Sequence, residues 1–398
     1  MISICIICKN EEQNIEHCLK SFDNIGYEIV VVDTGSTDNT KEIAMKYTAN
    51  VYDFEWCNDF AVAKNFAISK ASNDFVMVID SDEYLEQIDM KLLESMLKDS
   101  SEKVGRIQRR NIFHRNEIEQ ENWEWINRIF SKKYFHYEGR IHEQLVAVDG
   151  NDKYETYQAP VTILHSGYDL SDVERKKKAE RNISLLNEEL QQLILKYGNL
   201  IENTCMRLKC NDSLGCVNEL LKVLMNHNES IHRLQRDERI PYVLYQLGKS
   251  YYMAGNYQNA CVYFECGLYF DLNPKLEYVI DMVETYGYAL LNSGQAKQAL
   301  VMENIYDEFG ETADFKFLMG LIYMNNERYK EAIGEFEKAT NMSCSRTIGT
   351  NSYLANYNIG VIYECLGDLK HAKEFYKKCG EYALACRRLH ELMSTRVK

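Results

Sequence analysis

The stretch FVMVIDSDEYL, residues 75–85, decides how the first half of the chain is interpreted. Its first six residues are apolar on both faces of an extended chain, which is typical of a central strand of a parallel sheet. Asp80, Asp82 and Glu83 then place three carboxylates within four positions, where they repel one another. The stretch therefore predicts a buried strand that ends either in a divalent-cation site or in a solvated turn that caps the next helix.

Further strands and helices alternate around this stretch. The pattern predicts strands at 2–8, 28–33, 50–54 and 74–80, and helices at 11–21, 38–47 and 59–71. Such alternation favours right-handed βαβ units and a mostly parallel, Rossmann-like sheet that is covered on both faces. Ligands of these sheets bind at the carboxyl ends of the strands. Polar residues follow three of the predicted strands there, namely Asn10 and Glu11, Asp33, and Asp80 with Asp82.

The character of the sequence changes after residue 105. Short β-like segments rich in aromatic residues and arginine run to about residue 165, and we expect them to complete the sheet. A charged helix is predicted at 171–195. The resulting division is an α/β domain at 1–168, a linker helix and helical region at 169–240, and an all-α domain at 241–398.

The last region contains a repeat. Glycines at 248, 287, 320 and 360 are each followed 12 residues later by an alanine, and the glycines are 39, 33 and 40 residues apart. Small residues at these places let two antiparallel helices approach closely. The pattern resembles tetratricopeptide repeats with insertions in two units; the alternative is an irregular helical bundle. Stacked repeats present a surface for a peptide or a partner protein, so we expect chemistry in the first domain.

Composition narrows the possible partners. A formal net charge of −14 argues against a general nucleic-acid or anionic-lipid binder. No apolar run is long enough for a membrane span, and the first residues are expected to form a strand rather than a targeting segment. The 13 cysteines are scattered through apolar patterns, so a cytosolic location is expected. Cys5 and Cys8 have a CxxC spacing, but a strand would send them to opposite faces and into core packing.

Six segments together indicate a family. They are ISICIICKNEEQNIEHCLKSF, IVVVDTGSTDNT, EWCNDFAVAKNFAI, FVMVIDSDEYL, NRIFSKKYFHYEGRIHEQL and VTILHSGY. In this order they resemble family 2 glycosyltransferases of the GT-A fold, in the subgroup with C-terminal tetratricopeptide repeats. The resemblance implies a UDP-sugar donor, a Mg²⁺ or Mn²⁺ ion at the D-x-D segment, and inversion at the anomeric carbon.

The resemblance also implies roles for individual residues. Asp80, Asp82 and the later His165 would hold the metal ion, and Glu143, with His142 second, is the candidate catalytic base. A buried structural His–Glu hydrogen bond is the alternative for that pair, and a satisfied core histidine is the alternative for His165. The predicted nucleotide-sugar contacts are Asn10, Glu11, Asp33, Lys64, Asn65, Asp80 and Ser81. Lys64 stands where relatives often have arginine, and a solvated helix face is the alternative for Lys64 and Asn65.

Three functions remain open from the sequence. The domain order is similar to that of sublancin-type peptide glycosyltransferases, which implies transfer of glucose or N-acetylglucosamine to Cys, Ser or Thr of a bacteriocin-like peptide, with a possible homodimer through the helical region. The second is transfer to a cell-surface glycan, as in lipopolysaccharide-core relatives. The third is a repeat scaffold with an inactive first domain, although Asp33, Asp80, Asp82, Glu143 and His165 are all present.

Overall fold

The computed structural model describes residues 1–98, 100–115, 118–150, 154–165, 172–195, 213–225 and 237–394. The chain divides into two compact units, Met1–Asp172 and Val173–Lys398. The first unit contains the sheet and the second unit is helical, as the sequence predicts. None of the helices in the described parts is both long enough and apolar enough to cross a membrane.

Strands and helices alternate through the first part of the first unit. The strands of this unit are β1 (Ile2–Cys8), β2 (Glu28–Asp33), β3 (Val51–Asp53), β4 (Phe75–Asp80), β5 (Glu83–Ile88), β6 (Val104–Arg115), β7 (Ile118–Ser131), β8 (Phe135–Glu138), β9 (Gln144–Ala147) and β10 (Thr156–His165), and its helices are α1 (Ile15–Ser21), α2 (Thr40–Ala44), α3 (Phe60–Lys70) and α4 (Met90–Leu97). Eight strands form one sheet in the order β3-β2-β1-β4-β7-β6-β10-β5.

Strand β4 lies inside this sheet, between β1 and β7. Its residues from Val76 to Ile79 are buried on alternate faces: Met77 and Ile79 pack with α1 and α4, and Val76 and Val78 pack with α3. β1 is parallel to both β2 and β4, with Cys8 opposite Asp33 and Ile7 opposite Asp80. The register brings the predicted site residues of β2 and β4 to the same edge of the sheet. Cys5 and Cys8 lie in the two opposite cores, as predicted.

Three details differ from the sequence prediction. The segment after Asp82 is strand β5, which pairs antiparallel with β10, rather than a turn that caps a helix. β8 and β9 form a separate two-stranded sheet, so the prediction that their segment completes the main sheet is wrong. The first two helices begin later than predicted, because turn bonds take up the residues before them: Asn14 N donates to Glu11 O, and Thr40 N donates to Asp38 Oδ1.

The second unit begins with the predicted long helix and continues as helical hairpins. Its helices are α5 (Asp172–Leu195), α6 (Ser213–Met225), α7 (Arg239–Met253), α8 (Tyr257–Leu268), α9 (Glu277–Asn292), α10 (Ala296–Ala299), a 3-10 helix (Leu300–Ile305), α11 (Tyr306–Phe309), α12 (Ala313–Asn325), α13 (Tyr329–Thr340), α14 (Tyr353–Cys365), α15 (Leu369–Lys378) and α16 (Ala383–Ser394). Part of the predicted linker, at 196–212 and 226–236, lies outside the described residues. The second hairpin is irregular, because α10, the 3-10 helix and α11 replace its second helix.

The repeated glycines are sites of close helix approach. A Cβ atom added at Gly320 of α12 would lie 2.6 Å from the ring of Phe336 on α13, and Gly248 and Gly360 meet an aromatic ring at the same distance. Gly334, on the other hand, lies in α13 with nothing near such an atom. The glycine at 320 is therefore required by packing, whereas the glycine at 334 is not.

We expect Gly320→Ala to destabilise the repeats by about 1–3 kcal/mol, because the new methyl group must displace a fully buried phenylalanine. Gly334→Ala is the matched control, and it should be neutral or stabilising by up to about 1 kcal/mol through helix propensity. Urea unfolding of the full chain, followed by far-ultraviolet circular dichroism, measures both. Equal free energies of unfolding for the two variants would contradict the packing explanation.

Candidate active site

Asp80 ends β4 on the same face as α3 and lies between two cations. Its Oδ1 is 2.9 Å from Lys64 Nζ, and its Oδ2 accepts a 2.6 Å hydrogen bond from Arg128 Nη2 on β7. Burial alone would raise the pKa of Asp80, but the charges of Arg128 and Lys64 outweigh it and hold the pKa well below its usual range. Asp80 is therefore ionised and already neutralised by side chains of this chain.

Lys64 joins Asp80 to the candidate base. Helix α3 begins after Asp59, whose carboxylate caps the N–H of Val62, and this places Lys64 one turn inside the helix. Its Nζ lies 2.5 Å from Glu143 Oε1 as well as 2.9 Å from Asp80 Oδ1. Burial opposes the charge on Lys64, but the two carboxylates outweigh it and raise the pKa of the ammonium above its ordinary value. The solvated helix face is thus the wrong alternative for Lys64, which is only 4% exposed.

Glu83 is the most deeply buried of the clustered carboxylates. It accepts hydrogen bonds from Arg109 Nη1 at 3.0 Å, from Arg128 Nη2 at 2.9 Å and from the backbone N–H of Asp80 at 2.9 Å. Two arginines and one lysine therefore balance Asp80, Glu83 and Glu143. The sequence interpretation, in which a divalent cation makes the cluster of carboxylates tolerable, is incomplete, since side chains of the domain itself already neutralise it.

Asp82 faces His165 on the other side of the strand end. His165 Nε2 is 3.3 Å from Asp82 Oδ2, and its Nδ1 is 2.8 Å from Asn111 Oδ1. The amide nitrogen of Asn111 is fixed at 2.6 Å from the carboxylate of Glu124, which only accepts hydrogen bonds, so Oδ1 must face the imidazole. The His165 Nδ1 therefore donates to Asn111 Oδ1, and this bond fixes the ring so that Nε2 lies beside the Asp82 carboxylate.

This donor set fits a divalent cation at Asp82 and His165. A carboxylate oxygen is a ligand that Mn²⁺ and Mg²⁺ prefer, an imidazole nitrogen can join it on a transition-metal ion such as Mn²⁺, and Asn111 orients the ring as a supporting residue does in metal sites. Both oxygens of Asp80 already face cations, so its predicted role as a metal ligand stays a prediction. Among the described residues no cluster of three or more His, Cys, Asp or Glu side chains is arranged to hold a metal ion.

The loops after β1 and β2 are bonded to each other. Asn10 Oδ1 accepts a 2.8 Å bond from Thr37 N, and Glu11 N donates a 2.7 Å bond to Thr40 Oγ1. Asp33 is buried, and its Oδ2 accepts bonds from Gly35 N at 3.2 Å and from Ser36 N. Asp33 therefore shapes the loop that follows it. The predicted uridine contacts of Asn10, Glu11 and Asp33 stay predictions.

The remaining predicted residues lie close to Lys64. The side-chain amide of Asn65 makes two hydrogen bonds to the backbone of Tyr137: Nδ2 donates to Tyr137 O at 2.8 Å, and Oδ1 accepts from Tyr137 N at 2.9 Å. Ser81 is buried at the strand end. His142 precedes Glu143 with a left-handed backbone (φ 53°), which turns the chain so that the Glu143 side chain reaches Lys64. The roles of Asn65, Ser81 and His142 in binding or catalysis stay predictions.

Sequence reasoning missed the residues that hold the site together. Arg109 binds Glu83 and Glu124, and Asn111 orients His165. One signal was present: Arg109 and Glu124 lie on neighbouring β-like segments, and the structure pairs them directly across β6 and β7. The ring of Tyr137 lies 5.6 Å from Lys64 Nζ, and burial raises the pKa of its hydroxyl to about 12.

Comparison with known families agrees with this arrangement. Residues 3–145 match glycosyl transferase family 2, and residues 313–343 and 353–384 match the tetratricopeptide repeat. The N-terminal domain belongs to glycosyltransferase family 2. The match runs from β1 to the start of β9, and it includes Lys64, Asp80, Asp82 and Glu143.

Individual relatives match parts of the chain. It is 27% identical over 205 residues to the prophage-derived glycosyltransferase SunS of Bacillus subtilis (48% of this chain, 45% of SunS) and 36% identical over 114 residues to the lipopolysaccharide core biosynthesis glycosyltransferase LpsC of Rhizobium meliloti (27% and 42%). The chain spans less than half the length of these curated relatives. The crystal structure of S. aureus TarS is 15% identical, with a TM-score of 0.34 over 66% of this chain and 54% of that chain, too low to support an argument.

Proposed function

We propose that this chain is an inverting glycosyltransferase that moves a hexose from a UDP-sugar, UDP-glucose or UDP-N-acetylglucosamine, to a Cys, Ser or Thr side chain of a peptide or protein. One observation carries the proposal. A single ammonium, Lys64 Nζ, contacts both Asp80, at the predicted donor side, and Glu143, the predicted base. In a family 2 domain this contact supports a reaction in which the donor side and the acceptor side are both within reach of Lys64.

The cations of the site suit the departure of a nucleoside diphosphate. Negative charge develops on the diphosphate as its bond to the sugar breaks, and preorganised positive groups at that place stabilise the transition state. Lys64 and Arg128, which Asp80 and Glu83 hold in position, would supply such groups to a diphosphate bound at this strand end. A divalent cation held by Asp82 and His165 would supply additional positive charge to the same diphosphate when it is bound.

Glu143 suits the acceptor side. Its carboxylate lies in the connection between β8 and β9 and is partly open to solvent, since 12% of the side chain is exposed. A carboxylate at this place takes the proton from the acceptor nucleophile as that atom attacks the anomeric carbon. Attack from the face opposite the leaving diphosphate inverts the configuration at this carbon.

The repeats favour a peptide or protein acceptor, because such repeats present protein-binding surfaces. The domain order, similar to that of the sublancin-type enzymes, points the same way. A cell-surface glycan is the second candidate, and the match to LpsC, whose name places it in lipopolysaccharide core biosynthesis, supports it. A homodimer through the helical region stays a prediction that light scattering can test.

The test of the proposed function is UDP release from a panel of UDP-sugars by the full chain, with and without Mn²⁺. We expect one donor to be hydrolysed, and chelation to lower the rate by at least about 10²-fold, because the cation at the diphosphate is lost. If the enzyme turns over only when its acceptor is present, titration calorimetry of UDP binding with and without Mn²⁺ still tests the proposed donor site. The absence of both turnover and metal-dependent UDP binding would refute the transferase and favour the repeat scaffold.

A further inference from the structure

The connection between α13 and α14, residues 341–352, lies against the first helices of earlier repeats. We call this segment the strap. It accounts for the 40-residue spacing between Gly320 and Gly360. The strap contacts α9 and α12 through Arg346 and Thr347, although these helices precede it by one or more hairpins. It therefore occupies the surface that successive first helices share.

Arg346 is the centre of this contact. Its Nη2 bonds the carboxylate of Glu284 and lies 3.3 Å from Asp281 Oδ1, both on α9. Asp281 is bonded in turn to Tyr245 Oη at 2.6 Å and Lys249 Nζ at 3.0 Å on α7. Two successive first helices thus build an acidic pocket around one guanidinium group.

The backbone of the strap is recognised as well as its side chain. Asp314, buried at the start of α12, accepts bonds from two consecutive backbone groups, Arg346 N at 2.8 Å and Thr347 N at 3.0 Å. Thr350 Oγ1 adds a 3.1 Å bond to the same carboxylate. A pocket that reads a guanidinium together with two adjacent peptide N–H groups is suited to a peptide and not to an isolated cation.

The pocket is not fully satisfied by the strap. Glu284 Oε1 is buried, and it has no hydrogen-bond partner within the part of the chain that the structure describes. Burial raises the pKa of Glu284 to about 8 in spite of the opposing charge of Arg346. One third of the Arg346 side chain is exposed. The guanidinium of Arg346 can therefore be reached by a competing group from solvent, and Glu284 Oε1 can accept a hydrogen bond from a second donor.

We propose that Asp281, Glu284, Asp314 and Tyr245 form a binding site for an arginine-containing peptide, which the strap fills as an internal ligand. The partner is an extended segment whose arginine takes the place of Arg346, and whose backbone N–H groups at that arginine and at the next residue reach Asp314. Without Arg346 the pocket holds the acidic side chains of Asp281, Glu284 and Asp314 against the single ammonium of Lys249, which favours a cationic occupant. This proposal does not depend on the chemistry of the first domain.

The test uses the strap sequence itself as the probe. A labelled peptide with the sequence of residues 342–352, carrying serine in place of Cys344, is titrated into the full chain. We expect the Arg346→Ala variant, whose pocket has lost its internal guanidinium, to bind the peptide at least about tenfold more tightly than the wild type does, because tethered ligands compete at high effective concentration. A peptide with alanine in place of its arginine should bind neither chain measurably.

A second variant identifies the site. Adding Glu284→Gln to Arg346→Ala should weaken peptide binding, whereas adding Glu337→Gln, an exposed carboxylate on α13, should not. Hydrogen exchange in the wild type gives an answer that does not depend on any variant folding. Saturating peptide should speed exchange at the amides of Arg346 and Thr347, which Asp314 now protects. Unchanged exchange there, or binding that is indifferent to the peptide arginine, would show that the strap is only a structural connection.

Discussion

Asp82→Ala is expected to abolish metal-dependent UDP release, with a loss of at least about 10²–10³-fold relative to the wild type. Asp82 is the carboxylate that faces Nε2 of His165, so its removal takes away half of the donor pair that fits a divalent cation. Its removal leaves the contacts of Asp80 with Lys64 and Arg128 in place, so the neutralisation of Asp80 is kept. The measurement is the UDP release rate as a function of Mn²⁺ concentration.

Asp74→Ala is the matched control for this variant. Asp74 precedes the same strand at its other end and forms an exposed ion pair with Lys133. Surface pairs of this kind contribute about 0–1 kcal/mol to stability, so the control should keep both its fold and its activity. If Asp82→Ala kept the Mn²⁺ dependence of the wild type, the cation would have to bind elsewhere, and the assignment of Asp82 and His165 would be wrong.

Glu143→Gln is expected to lower UDP release with water as the acceptor by about 10²–10⁴-fold, the usual contribution of a general base. Glutamine keeps an oxygen that accepts a bond from Lys64, so the packing of the ammonium should survive the change. A thiol acceptor should respond less at pH 9, because a thiol with a pKa near 8.5 is already ionised there. Release of UDP with and without an added cysteine-containing peptide measures this difference.

Glu138→Gln is the control for Glu143→Gln. Glu138 ends β8 in the same two-stranded sheet, but its side chain is half exposed and pairs with His136 at the surface. It should leave both rates unchanged. An equal loss with water and with the thiol in Glu143→Gln would assign Glu143 to holding Lys64 rather than to proton transfer.

The predicted part of the fold rests on local patterns. Runs such as FVMVID are apolar on both faces, and a strand with these faces must lie inside a covered sheet, so its position followed from the sequence. The place of β5 did not follow, because EYLEQI pairs with β10, far along the chain, and nothing local marks that partner. The separate sheet of β8 and β9 was missed for a different reason: the two strands are neighbours in sequence, but nothing in that sequence shows that they leave the main sheet.

The candidate site likewise has residues that local motifs identify and residues whose role depends on the assembled sheet. Asp80, Asp82, Glu143 and His165 were selected from motifs, and the structure brings Asp80 to Glu143 through Lys64 and brings Asp82 to His165. The neutralising role of Arg128 and Arg109 could not be predicted, because it depends on β7 and β6 lying beside β4. Charge balance in a buried cluster is a property of the assembled sheet rather than of any one segment.

The mutual bonding of the loops after β1 and β2 has a thermodynamic consequence. Asn10 and Thr37, Glu11 and Thr40, and Asp33 with its own turn are already joined before any ligand arrives. A flexible loop loses conformational entropy when it closes on a ligand, at about 0.5–1.5 kcal/mol for each ordered side chain. In these two loops that conformational entropy is already lost when the chain folds. A nucleotide that binds beside them should therefore do so with a small entropic penalty and a small change in the amide exchange of residues 33–40.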